Sequence, residues 1–160
     1  MSRFPKSLVS LRRIFLGLMA FLVFASISPP ANASCLAQDE DGSWVNADPN
    51  TRSLTRAVLR FTCQDQVLNG QLHPPGPPWH MHLWGKCHPT DCDWSEVGAH
   101  FVTIGSRTFV HAVYNQGFAR RYVYADMSLT RPGQLWIWMW TDFTDPGRPD
   151  YESQNWFIRR

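Results

Sequence analysis

The stretch Ala99-His100-Phe101-Val102-Thr103-Ile104-Gly105-Ser106-Arg107-Thr108-Phe109-Val110-His111-Ala112-Val113-Tyr114 decides the fold. Two alternating runs, residues 99–104 and 107–114, meet at Gly105-Ser106, a link that predicts a β-hairpin. Working outward, the same period of two recurs. Residues 54–63 place Ala57, Leu59, Phe61 and Cys63 on one face and Arg56, Val58 and Arg60 on the other. Residues 67–72 and 79–86 are further strand candidates. Downstream, Asn115-Gln116-Gly117 turns into a strand over 118–127, and Arg131-Pro132-Gly133 into one over 134–143. A loop at 144–150 then leads to a closing strand at 154–158. No segment carries a long apolar pattern at helical spacing. The chain therefore reads as all-β, a single antiparallel up-and-down barrel of eight to nine strands. Closing the sheet removes its exposed edges; a two-sheet β-sandwich is the alternative. His73-Pro74-Pro75-Gly76-Pro77-Pro78 cannot join a ladder and reads as a stiff connection between strands.

Ahead of these strands lies a different kind of segment. Arg3, Lys6, Arg12 and Arg13 precede an uninterrupted apolar run, Ile14 through Ala25, which stops before Pro29-Pro30. Ala31-Asn32-Ala33 supplies the small-x-small pattern that signal peptidase cuts. Residues 1–33 thus read as a cleaved secretory signal peptide, and the apolar run is short for a membrane span. Arg12-Arg13-Ile14-Phe15-Leu16 also resembles the twin-arginine export motif, although Leu11 stands where that motif carries Ser or Thr. The expected product is a secreted or periplasmic domain over residues 34–160, meeting the membrane only during export. Of the 15 basic residues the signal takes four, leaving 11 against 13 acidic ones. The basic excess leaves with the signal, and with it any argument from charge for nucleic acid as a partner.

All four cysteines, Cys35, Cys63, Cys87 and Cys92, fall in the exported part, where an even number implies disulfides. Three connectivities exist. The favoured one closes Cys87–Cys92 around His88-Pro89-Thr90-Asp91 and ties the new N-terminus to an early strand through Cys35–Cys63.

Gly42-Ser43-Trp44 stands where the first strand should begin, and Thr141-Asp142-Phe143 lies on a late one. The first resembles the Gly-x-Trp signature of the calycin barrels (lipocalins, fatty-acid-binding proteins, avidins), and the second the lipocalin Thr-Asp-Tyr element. The resemblance implies a barrel plugged at one end by Trp44, with Arg159 or Arg148 packed on its ring. The chain differs from lipocalins in its shorter length, in showing no evident C-terminal helix and in its Cys-His-Pro-Thr-Asp-Cys loop. Small periplasmic protease-inhibitor barrels share the same general look.

The tryptophans are the most informative side chains, and all eight lie in the exported part. Leu135-Trp136-Ile137-Trp138-Met139-Trp140 puts three indoles on one face and three aliphatic chains on the other. Either the indoles line a lumen or they form an aromatic stripe that needs a cover, in which case the Pro-rich connection or a subunit interface could supply it. Flat indole faces suit sugar rings and other amphipathic ligands. The expected ligand-binding set is Trp136, Trp138 and Trp140 with Trp79, Trp84 and Tyr124 as neighbours, and the expected ligand a small molecule or carbohydrate. No cofactor is implied.

Two other chemistries fit the composition. His80 and His82 share a strand face with Trp84, and His88 follows, so a copper or zinc site can be drawn from the three. Ser95 with Asp93, Glu96 and His88 can be drawn as a hydrolytic triad, and Asp91 with Asp93 as a carboxylate pair, but no catalytic motif positions them. Arg120-Arg121 with Tyr122 and Tyr124 alternates about a strand and forms no single basic patch. A non-catalytic binding protein is the reading these residues favour, with a protease-inhibitor or protein-interaction module as the alternative.

Overall fold

In the computed structural model residues 35–160 are described; the export signal expected over residues 1–33 lies outside them. Period-two alternation builds ten strands among the described residues. They are β1 (Gly42–Asn46), β2 (Leu54–Phe61), β3 (Gln66–Leu68), β4 (Gln71–His73), β5 (Trp79–Gly85), β6 (Cys92–Ile104), β7 (Arg107–Asn115), β8 (Ala119–Met127), β9 (Leu135–Phe143) and β10 (Tyr151–Arg159). Eight of them close an antiparallel barrel in the order β1-β10-β9-β8-β7-β6-β5-β2. The chain closes on itself at β1, where Trp44 sits opposite Arg159 on β10 and Ala57 on β2. The sandwich alternative is thereby removed.

The remaining pair, β3 and β4, corrects one expectation. Residues 67–72 read as a single strand, but Asn69 (φ 52°) and Gly70 (φ 79°) turn the chain back on itself in a separate hairpin. Asn-Gly is a strong two-residue turn signal, because both central positions need positive φ. A second correction concerns β6, which begins at Cys92 rather than near residue 99. Its early part carries a bulge: His82 faces Glu96 but Trp84 faces Asp93, and Ser95 takes up the extra residue at φ 65°.

The lumen is filled, as expected of eight strands. On β9, Leu135, Ile137, Met139 and Thr141 point inward and are buried. Ala57 and Leu59 of β2, Met81 and Leu83 of β5, Val110, Ala112 and Tyr114 of β7 and Val123 and Ala125 of β8 meet them there. Each large aliphatic chain removed from water in this way stabilises the fold by about 1.5–3 kcal/mol. Tyr114 brings its one polar atom into the core by donating its hydroxyl to the Met81 carbonyl at 2.6 Å. Burial pushes that phenol far above its ordinary pKa, so it remains a donor. The Pro-rich connection lies on the outer wall, with Pro77 against Gly98, where a Cβ would come within 2.7 Å of the proline ring.

The two ends differ. The segment before β1 folds across one end and is tied down by Cys35–Cys63 (Cα–Cα 5.7 Å). The other end gathers the β1–β2, β5–β6, β7–β8 and β9–β10 connections. There the second bridge, Cys87–Cys92 (Cα–Cα 5.4 Å), closes the β5–β6 loop.

Candidate binding site at the open end of the barrel

The six aromatic residues expected to bind together occupy three separate places. Trp79 is fully buried, packed against Phe61 at 5.0 Å and Phe101 at 5.7 Å, and offers no face to a ligand. Trp84 points outward on β5, with the Arg56 guanidinium at 4.4 Å and the His82 ring stacked at 3.8 Å. Trp136, Trp138, Trp140 and Tyr124 share the outer wall of β8 and β9, away from the lumen. The aliphatic face of β9 is therefore the core face, and the indole stripe lies outside it.

Neighbours cover much of that stripe. Trp136 donates its indole N–H to Gln154 at 3.3 Å and lies under Arg107, while Trp138 donates to Glu152 at 3.1 Å. Tyr124 stacks on His111 at 4.4 Å and touches Trp138 at 5.2 Å. Trp156, opposite Trp136, is capped by Arg131 at 4.1 Å. Trp140, 37% exposed, is the most open of the three indoles on β9.

The histidines do not converge. His82 bonds to Asp93 at 2.5 Å and is not part of any three-ligand cluster with His80 and His88. Among the described residues the one group of three potential ligands is Cys35, Cys63 and Asp65, and its sulfurs are joined to each other. The residues drawn as a triad are engaged with other partners. Asp93 accepts the backbone N–H of Ser95 at 2.7 Å rather than orienting His88, and Glu96 pairs with Arg60. Its bonds to His82 and to the Ser95 N–H hold the Asp93 carboxyl below its ordinary pKa.

A recess of about 470 Å³ lies at the open end, and a smaller one of about 290 Å³ lies beside Trp136 and Trp156 on the outer wall. Three of the connections at the open end contribute to the larger recess, with Arg52 and Ser53, Lys86 with the Cys87–Cys92 bridge, and Gln116 with Phe118, and Tyr151 adds to them from the start of β10. Trp94 and Arg121 reach into it from the strands. Trp94 arrives there because of the β6 bulge: with Ser95 absorbing the extra residue, Trp94 packs on the core and meets Tyr114 edge-on at 5.8 Å. Bulges beside sites commonly re-aim a side chain in this way. The indole lies flat on Gly85, where any Cβ would come within 2.8 Å of its Nε1.

Arg121 is on the inward parity of β8, two residues from buried Val123. Its guanidinium lies over Trp94 at 4.4 Å and its Nε donates to Gln116 at 2.8 Å. Arg121 enters no ion pair among the described residues. Ser153 also lines the recess, and its hydroxyl oxygen is shielded from water and has no hydrogen-bond partner among the described residues. Thr141, opposite Arg121 in the ladder, is fully buried and its Oγ1 is likewise unpaired.

The sequence reading missed Arg121 and Trp94. Arg120-Arg121 forms no single basic patch in sequence, but the inward parity that Arg121 shares with Val123 and Ala125 is the signal that singles it out. Trp94 carried no such signal, because only the bulge turns it inward. A scan against protein-family models, a search of curated proteins and a search of solved structures each found no match.

Proposed function

We propose that the chain is an exported, non-catalytic binding protein that holds a small molecule in the open end of its barrel. The observation that carries this is the Trp94–Arg121 pair at the floor of a recess of about 470 Å³. Pockets that bind small molecules combine apolar walls with a few convergent polar groups. Here the walls are Trp94, Phe118 and Tyr151, and the polar groups are the free guanidinium nitrogens and the Ser153 hydroxyl. The lumen behind them is packed, so the ligand sits at the mouth rather than deep inside. Two disulfides fit a compartment outside the cytoplasm. The calycin-like reading draws support from the closed eight-stranded barrel and from Arg159 over Trp44 at 4.4 Å; Arg148 packs on Phe143 instead.

The test is a fragment screen read by NMR. Binding fragments should shift the Trp94 indole N–H together with the Gly85 and Phe118 amides, and Trp94→Ala should abolish those shifts. Shifts confined to Trp138 and Trp140 would instead favour a second reading. In that reading a sugar ring or a protein partner docks on the outer wall, where Trp140 is open while Trp136 and Trp156 lie under arginines. No shifts in either place would sink both.

A further inference from the structure

Resting on the open-end reading, we infer that the ligand is an organic anion, a carboxylate carried on a flat apolar body. The first ground is charge. Arg52, Lys86 and Arg121 line the recess against a single carboxylate, Asp93, which is already bonded to His82 and to the Ser95 N–H. Lys86 has a long contact to Asp91 at 3.7 Å, and Arg52 and Arg121 enter no ion pair among the described residues.

The second ground is the geometry of Arg121. A guanidinium presents a planar fork that matches a carboxylate with two parallel N–H···O bonds. Stacking on Trp94 and the bond from Nε to Gln116 fix the plane of that fork and leave its terminal amino groups without hydrogen-bond partners among the described residues. An ordered cation of this kind is pre-organised for an anion, since little side-chain freedom is lost on binding.

The third ground is independent of charge. Ser153 lines the same recess, and its buried hydroxyl has no hydrogen-bond partner among the described residues, which leaves that polar group uncompensated. A carboxylate oxygen that reaches Arg121 and Ser153 gives each an acceptor. The apolar body of the ligand then lies against Phe118 and Tyr151, which line the recess beside the guanidinium. A cation would meet three positive side chains there, and a neutral ring would leave both the guanidinium and the hydroxyl unanswered.

The experiment compares 2-naphthoate with 2-naphthamide, which share shape and differ in charge, by isothermal titration and by the Trp94 indole N–H shift. The wild-type protein should bind the acid at least about tenfold more tightly than the amide, the scale of one charge-assisted bidentate contact. Arg121→Gln should bring the ratio to near one by weakening the acid alone. Raising the salt concentration on the unaltered protein should weaken the acid and leave the amide unchanged, a reading that needs no variant. Equal binding of acid and amide at the Trp94 site would overturn the anion inference and leave the open-end reading standing. Failure of both compounds to shift Trp94 would overturn the two together.

Discussion

Each end of the barrel carries an arginine lying over an indole at 4.4 Å, Arg159 on Trp44 at one end and Arg121 on Trp94 at the other. At the closed end the pair is tied into the chain by hydrogen bonds. Trp44 gives its N–H to the Glu40 carbonyl at 2.9 Å, and Arg159 gives two bonds of 2.7 Å to the carbonyls of Asp39 and Asp41. Those bonds stitch the segment before β1 across the barrel, and the Cys35–Cys63 bridge fastens it. At the open end the same pair of residue types is left unfinished. Among the described residues Arg121 has one hydrogen-bond partner, Gln116, and the hydroxyl of Ser153 has none. The same contact serves as a plug where its hydrogen bonds are satisfied within the chain. Where they are not, it is a site that a ligand can complete.

The largest expected effect breaks the comparison at its two indoles. Trp44 is fully buried, so Trp44→Ala should cost about 3–5 kcal/mol in chemical denaturation. Trp94 is only partly buried, and Trp94→Ala should cost half of that or less while abolishing fragment binding. Equal losses of stability would show that Trp94 is as structural as Trp44, and the distinction between plug and site would fall.

The disulfides sharpen the same contrast at intermediate size. Cys35–Cys63 spans 28 residues and Cys87–Cys92 spans five. In the chain-entropy view the first contributes about 3.5 kcal/mol and the second about 2 kcal/mol. Replacing each pair with serines should reproduce that order in unfolding midpoints. The shorter loop also frames the recess, so its removal should weaken fragment binding out of proportion to the stability lost.

These contrasts explain which parts of the molecule the sequence made legible. Barrel strands announce themselves by period-two burial, and β7 and β9 read correctly because apolar side chains recur at their inward positions, Val110, Ala112 and Tyr114 on one and Leu135, Ile137 and Met139 on the other. The cysteine pairing followed from spacing and export. Gly42-Ser43-Trp44 pointed to the plug because its partners are local or terminal: Glu40 is four residues away and Arg159 lies at the end of β10. The open end was opaque for a physical reason. Its recess is assembled from three connections and the start of β10, far apart in sequence, and its indole faces inward only because Ser95 adopts a positive φ that no neighbouring glycine advertises. The outer tryptophans drew attention by composition, whereas the residues with unsatisfied donors were ordinary in sequence and distinctive only in three dimensions.

The smallest expected effect concerns pH, and there the two ends should respond with opposite sign. At the closed end Glu40 is half-buried, and desolvation, with the nearby Asp126 charge, raises its carboxyl above the ordinary value. A raised folded-state pKa contributes stability below the ordinary carboxylate range and loses it as pH rises through the shifted value. Glu40 charge therefore works against the fold at neutral pH. At the rim of the recess Asp93 is lowered by its hydrogen bond to His82 and by the Ser95 N–H. Its contribution is present above the ordinary carboxylate range and disappears as pH falls through the lowered value. Denaturation midpoints between about pH 3 and 7 should thus show Glu40→Gln above wild type at neutral pH and Asp93→Asn below it. Both differences should fade toward acid. If the two variants shifted stability in the same direction, the closed end would not be holding a desolvated carboxyl, and burial of Glu40 beneath the plug would have to be abandoned as the cause.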